Sequence, residues 1–314
     1  MQKKRNKTIL VTGGLGHIGS RLIRELDATL VGRVIILDNL LTQRYASLFD
    51  LPRHCEFVQD DIRTADMEKY LKDVHAVIHL AAITDAESSK GREAEVEAVN
   101  LDGLKRVADA CAKAGVRLLF PSTTSVYGSQ AERVDETCTE LKPQSPYADS
   151  KLAAERYLQT LHATRFAFRF VTCRLGTIFG WSVGMRFHTA VNKFIWQAVN
   201  GLPITVWKTA WRQRRPYLDL DDCVHAINVI LKHDLFDGEI YNVLTKNFTV
   251  QDIVGTIKQF IPKLKVAYVD SPIMNQLSYD VDDSKFRALG FTPKGDLKKG
   301  IRQTIEHLKG INTS

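Results

Sequence analysis

Short apolar runs alternate with stretches of helical spacing along most of this chain. Ile9-Leu10-Val11 ends in a cluster of glycines and gives way to Ser20-Arg21-Leu22-Ile23-Arg24-Glu25-Leu26, where apolar positions recur at the period of a helix face. Strand-like runs follow at Arg33-Val34-Ile35-Ile36-Leu37-Asp38, Glu56 to Gln59, His75 to Leu80, Arg117 to Phe120 and Phe168 to Arg174. Helical patterns separate most of them, the longest over Arg92 to Ala114 and Tyr147 to His162. Strands that alternate with helices predict an α/β fold whose parallel sheet is covered on both faces. Ligands bind such sheets at the carboxyl ends of the strands. Asp61 and Ile62, Ala81 and Ala82, Pro121 to Ser125 and Arg174 to Thr177 are therefore predicted to share one rim.

The texture changes near residue 180. All four tryptophans fall between Trp181 and Trp211, with a helical pattern over Phe187 to Val199. Beyond it come Val250 to Phe260 and a tail in which Leu297, Ile301, Ile305 and Leu308 mark one helix face. The expected organisation is a dinucleotide-binding domain over 1–180, to which a segment at about 213–242 returns. The span 181–314 is mainly a smaller, discontinuous lobe that binds substrate. The tryptophans are read as core, with a ligand-facing cluster as the alternative.

The first helix follows Thr12-Gly13-Gly14-Leu15-Gly16-His17-Ile18-Gly19. Glycines allow a tight turn and close approach of the backbone to a pyrophosphate, which then faces the N–H groups of the helix start. The second strand ends in Asp38, nineteen residues after Gly19. An acid at that distance hydrogen-bonds the adenosine ribose and repels a 2′-phosphate. A Rossmann-type doubly wound sheet binding NAD rather than NADP is the expectation.

Composition narrows the class without naming a chemistry. The 314 residues are 44% apolar and 25% charged, with a formal net charge of +7. No apolar stretch approaches the roughly 20 residues that span a bilayer, and no signal-type segment precedes the first strand. No membrane association and a cytoplasmic location are expected. Five scattered cysteines lack metal-ligand spacing, so no metal site is expected. The basic clusters Lys3-Lys4-Arg5-Asn6-Lys7 and Arg212-Gln213-Arg214-Arg215 are short and lack stacking aromatics, which argues against nucleic acid. Arg212 and Arg214 are read as solvent charges.

Chemistry enters with Ser145-Pro146-Tyr147-Ala148-Asp149-Ser150-Lys151. Ser145 and Pro146 suit a helix start, and residues four apart share a face. A tyrosine with a pKa of about 10 is a poor base at neutral pH, but a fixed neighbouring cation favours its phenolate. Lys151 is the candidate cation.

On these motifs together the chain resembles the extended short-chain dehydrogenase/reductases of the nucleotide-sugar epimerase/dehydratase type, over nearly its whole length. The opening turn, Asp60-Asp61-Ile62-Arg63, Leu80-Ala81-Ala82, Asn100 and Phe120-Pro121-Ser122-Thr123-Thr124-Ser125-Val126-Tyr127-Gly128 all match. The resemblance implies Thr123, Tyr147 and Lys151 as catalytic residues. It implies NAD contacts from Gly13, Gly16, His17, Ile18, Gly19, Asp38, Asn39, Leu40, Asp61, Ile62, Leu80, Ala81, Ala82, Asn100, Tyr147 and Lys151. Tyr147 would take a proton from a sugar hydroxyl, Thr123 would hold the reacting oxygen, and Lys151 with the nicotinamide would keep the tyrosine pKa low. Strand-end capping is the plainer role for Thr123.

Departures from the family pattern bear on the reaction. In 4,6-dehydratases an Asp-Glu pair follows the catalytic threonine, and decarboxylases keep a glutamate there; here the positions are Thr124 and Ser125. Thr177 replaces the usual asparagine of Arg-x-x-Asn after the sixth strand, and Gly184 to Phe194 resembles a subgroup that includes enzymes of heptose nucleotides. Thr84, Thr123, Thr177, Arg186, Asn192 and Arg215 are the candidate contacts to a nucleotide sugar, with Arg215 suited to its diphosphate. The expected function is an NAD-dependent nucleotide-sugar 4-epimerase working through a 4-keto intermediate. A nucleotide-sugar 4-dehydrogenase, including one for heptose nucleotides, is the alternative. A non-catalytic dinucleotide-binding or RNA-binding scaffold of the same fold is the contrasting class. The resemblance also implies a homodimer paired through the Arg92–Ala114 and Tyr147–His162 helices.

Overall fold

Lys7–Thr12 forms β1, and Ile9, Leu10 and Val11 within it are sealed from solvent. A strand buried on both faces reads as a continuous apolar run, which is what the sequence shows there. The computed structural model describes residues 6–85, 89–128, 133–165, 167–270, 279–308 and 310; the basic cluster Lys3-Lys4-Arg5 lies outside them. After β1 come α1 (His17–Glu25), β2 (Val31–Asp38), β3 (Cys55–Gln59), α2 (Met67–Leu71), β4 (Ala76–His79), α3 (Glu93–Glu97), α4 (Gly103–Ala114), β5 (Arg117–Thr123), α5 (Pro146–Thr164) and β6 (Phe170–Leu175). The remainder comprises β7 (Thr177–Phe179), α6 (Ala190–Val199), β8 (Ile204–Trp207), β9 (Arg214–Asp219), α7 (Leu220–His233), β10 (Ile240–Val243), β11 (Lys246–Thr249), α8 (Val250–Phe260), β12 (Val266–Val269), α9 (Ser284–Arg287) and α10 (Leu297–His307).

Seven strands form one sheet in the order β3-β2-β1-β4-β5-β6-β10, every pair parallel. This is a Rossmann-type α/β fold. Leu22 and Ile23 of α1 pack with Val224, Ile227 and Ile230 of α7 against one face. Met67 and Leu71 of α2, Leu104 and Val107 of α4, and Ala154 and Leu158 of α5 cover the other. The strand order reverses beside β1, which leaves a crevice where β1 and β4 end.

A smaller assembly holds β7, β9 and β11 in one sheet and β8 with β12 in another. Phe179, Val191, Ile195, Ile253, Ile257 and Ile301 share its core, with α6, α8 and α10 packed together. Leu297 and Leu308 are buried in this core and Ile305 packs against it.

Two helices differ from the sequence pattern. The one anticipated from Phe187 begins at Ala190, because Thr189 is still extended and Phe187 instead packs on Trp196, ring centroids 4.9 Å apart. The stretch anticipated as one helix to Ala114 is interrupted by a π-helical turn over Ala98–Asp102. Asn100 sits within that turn, and its side chain is drawn to partners outside the helix. Among the described residues no helix is long and apolar enough to cross a membrane.

Candidate active site

A cleft of about 770 Å³ opens between the carboxyl ends of the large sheet and the smaller assembly. One end is the glycine turn. Gly13 has φ +66°, and a β-carbon there would lie 2.5 Å from the Ala81 nitrogen, so β1 and β4 meet this closely only through glycine. Asp38 receives the Leu15 N–H at 3.2 Å and the Leu40 N–H at 2.9 Å, one on each carboxylate oxygen. Asn39 donates to Asp61 at 3.0 Å. Hydrogen bonds from the Arg63 side chain, ahead of its other contacts, hold the Asp61 carboxyl well below the usual range. A bare, glycine-lined cradle flanked by a fixed acid fits a dinucleotide without a 2′-phosphate.

Ser145 caps α5 by accepting the Ala148 N–H at 3.2 Å, and Pro146 opens the helix. This start places Tyr147 and Lys151 on the face that meets β5. Tyr147 shares a hydrogen bond with Thr123, the last residue of β5. Thr123 also accepts the Ser125 N–H at 3.1 Å, so it caps the following turn while lining the cleft. The Lys151 ammonium donates to the Pro121 carbonyl at 2.8 Å and lies 4.6 Å from the Phe120 ring centroid.

The sequence expectation has Lys151 and the nicotinamide together keep the tyrosine pKa low; for the chain alone, burial dominates both groups. Burial pushes Tyr147 up to about 12, opposed only by the hydrogen bond with Thr123. Burial also lowers Lys151 to about 7, with Glu155 opposing. The physical cause is shared: both groups are desolvated, and the ammonium is aimed at a carbonyl rather than at the phenol.

All the other anticipated residues line this cleft except Leu40, Asn100 and Asn192. Leu40 packs against the core with φ +58°, offering its N–H to Asp38. Asn100 receives the Ile83 N–H at 2.8 Å and donates to the Ile83 carbonyl at 2.9 Å and to the Ser150 hydroxyl at 3.0 Å. It shapes the wall rather than facing the cleft. Asn192 is fully buried and its carboxamide is taken up by the Gly180 N–H at 3.4 Å and the Arg186 carbonyl at 3.3 Å. It does not line the cleft and braces the segment that presents Arg186. Arg186 donates to Thr84 at 3.2 Å, and Arg215 stacks on Tyr279, 5.0 Å from the ring centroid. Arg212 and Arg214, read as solvent charges, are both exposed, and Arg214 pairs with Asp280 at 2.6 Å on the surface. Of the tryptophans, Trp207 lines the cleft, Trp196 and Trp211 pack against the smaller core, and Trp181 stacks on His307.

Several lining residues carried no usable sequence signal. His79, the polar end of an apolar strand, pairs with Thr12 at 2.9 Å and is pushed down to about 3 by burial, with the Lys151 charge adding to it. Arg44 and His188 approach from two different loops. Residues Gly180 to Arg186 form a strap across the glycine turn: Ser182 donates to the His17 carbonyl at 2.9 Å, and the Ser20 hydroxyl receives the Gly184 N–H at 3.0 Å. The His17 ring meets the Gly180 carbonyl at 2.9 Å, and Arg44 binds the Gly184 and Met185 carbonyls. Gly184 must be glycine, since a side chain would run into the Leu15 carbonyl.

Residues 9–243 match the sequence profile of the NAD dependent epimerase/dehydratase family. An uncharacterised UDP-glucose epimerase of Bacillus subtilis, YtcB, is 29% identical over 96% of this chain and 98% of its own. The dTDP-D-glucose 4,6-dehydratase of Mus musculus is 31% identical over 96% of this chain and 88% of its own. The crystal structure of UDP-glucuronic acid 4-epimerase from Bacillus cereus, in complex with UDP-glucuronic acid and NAD, superimposes with a TM-score of 0.88. It is 25% identical and covers 97% of this chain and 100% of that one.

Proposed function

From the premise that this chain belongs to the NAD dependent epimerase/dehydratase family, with NAD as its cofactor, we propose that it is a nucleotide-sugar 4-epimerase. One observation carries the choice among family reactions. Thr123, Tyr147 and Lys151 converge on the cleft, whereas the two positions that would hold dehydratase carboxyls carry Thr124 and Ser125. The Thr124 hydroxyl is buried against the Leu175 carbonyl at 3.3 Å, and hydroxyls are poor proton carriers near neutrality. The acids that do line the cleft are Asp38, Asp60 and Asp61 beside the glycine turn, Asp85 near Arg186 and His188, and Glu95 near Arg92.

In this reading the carbinol at C4 of the sugar lies against Thr123 and Tyr147. Thr123 holds its oxygen, and Tyr147 removes its proton as the carbon loses hydride. NAD, when bound, would accept that hydride and contribute in its oxidised form the positive charge that the buried tyrosine lacks. Lys151 is placed to carry the cofactor's ribose hydroxyls. Arg215 and Arg186 would grip the diphosphate while the ketosugar turns over and receives the hydride on its other face. The net change is inversion at C4 with no redox balance left over. A nucleotide-sugar 4-dehydrogenase would use the same residues but must release reduced cofactor.

Turnover of UDP-sugars followed by NMR, with absorbance monitoring of reduced cofactor, tests the assignment. An equilibrium mixture of C4 epimers without accumulating NADH is the expected outcome. Steady NADH formation, or a product lighter by one water, would overturn it. Tyr147→Phe should lower kcat by at least about 100-fold while leaving NAD bound. Near-normal turnover in that variant would remove the mechanism.

A further inference from the structure

Three consecutive residues of β5 each grip one face of α5. The Pro121 carbonyl receives Lys151, the Ser122 hydroxyl donates to Glu155, and Thr123 bonds Tyr147. The helix partners are spaced by four, so they form a single line of rungs along α5. Two rungs end at groups already given a part in the chemistry. The last along the helix, Glu155, does not reach the cleft.

Glu155 is also the most firmly held of the three. Its carboxylate meets Arg174 of β6 at 2.7, 3.1 and 3.2 Å, and both side chains are only 3% exposed. Arg174 in turn lies over the Tyr127 ring, 4.9 Å from its centroid. An ion pair this deep is weak evidence for stability, because well-packed apolar side chains of similar volume serve as well or better. Its directional bonds instead fix how α5 sits on β5 and β6.

We propose that Glu155 is a positioning residue: its carboxylate locks the helix bearing Tyr147 and Lys151 onto the strand bearing Thr123, so that the three reactive groups hold one geometry. The proposal rests on the 4-epimerase reading for the roles of those three. It also has an electrostatic side. The groups around Lys151 are Tyr147 and Glu155 on its own helix, His79 from β4, Ser122 and Thr123 from β5, Arg174 from β6, and Tyr127 beyond Arg174. Glu155 is the one carboxylate among them and balances Arg174. Without it, Lys151 would face a second buried cation and lose its proton more readily.

Two variants test this with NAD present throughout. Glu155→Gln keeps the shape and removes the charge. Glu155→Met combined with Arg174→Met removes the clamp without leaving a buried unpaired ion. Both should bind NAD in a thermal-shift assay and keep KM near that of the wild type, while kcat falls about 10- to 100-fold, as small misplacements of reacting groups do. In the Gln variant the alkaline limb of the kcat profile should also move down by about one pH unit; in the double variant it should stay in place. Wild-type kcat in either folded variant, or a Gln variant that loses amplitude with no movement of the limb, overturns the proposal. If the Gln variant does not fold, kcat of the double variant decides. Tyr147→Phe run alongside separates the two levels: an active Phe variant sinks the reaction itself, whereas an inactive one beside a normal Glu155→Gln sinks only the role of Glu155.

Discussion

Tyr147 sits in surroundings that oppose its ionisation, and His79 shows the same physics with a clearer readout. His79 is held neutral by burial, with a pKa pushed down to about 3, while an unfolded histidine titrates near about 6.5. A lowered folded-state value means that the unfolded chain binds the extra proton. The His79 contribution is therefore complete above about pH 6.5 and is lost as pH falls toward its folded pKa, at about 1.4 kcal/mol per pH unit. His79→Gln can keep the bond to Thr12 but cannot titrate, so its denaturation midpoints at pH 5 and pH 7 should differ less than those of the wild type. An unchanged difference would show that His79 charges in the folded protein. Helix spacing alone singled out Tyr147 and Lys151, and the family resemblance added Thr123. Neither reached the outcome for Asn192 or Asn100, whose carboxamides could face a ligand or the backbone. Only the tertiary positions of Gly180, Arg186 and Ile83 decide which.

Elements were legible where the period was clean. The sheet strands and α5 follow from apolar runs and a Ser-Pro start. The π-helical turn at Ala98–Asp102 was not, since nothing in its sequence departs from helical spacing; the extra residue is accommodated by bonds from Asn100 to Ile83 and Ser150. Such turns recur at functional sites, and here it sets the wall beside Ala82 and Ile83. The Gly180–Arg186 strap was equally hidden, because its anchors His17, Ser20 and Arg44 lie far away in sequence. The strap crosses the glycine turn, so loosening it should speed loss of NAD. Ser182→Ala together with Trp181→Ala should raise the dissociation rate about 30-fold, as expected for losing two contacts worth about 1 kcal/mol each. Displacement of a fluorescent dinucleotide analogue measures it, and an unchanged rate would mean that the strap does not gate the cleft.

For the molecule as a whole, the dinucleotide end carries a carboxylate at a fixed place. Asp38 is fixed by two backbone N–H groups at the end of β2 and faces the cleft. NAD at about 100 times its Kd should add about 2.7 kcal/mol to stability, seen as a raised Tm. NADP at the same concentration should add much less, because its 2′-phosphate would meet that carboxylate. Equal shifts would remove Asp38 as the selector. The strap adds a matter of timing. Its Trp181 leans on His307 in the last helix, while its other holds are near the start of the chain. The strap thus ties α10 to the glycine turn, so a dinucleotide lying beneath it would leave at the pace at which these contacts open. Protein stripped of NAD should likewise take it up sluggishly, at the pace of local opening rather than of diffusion.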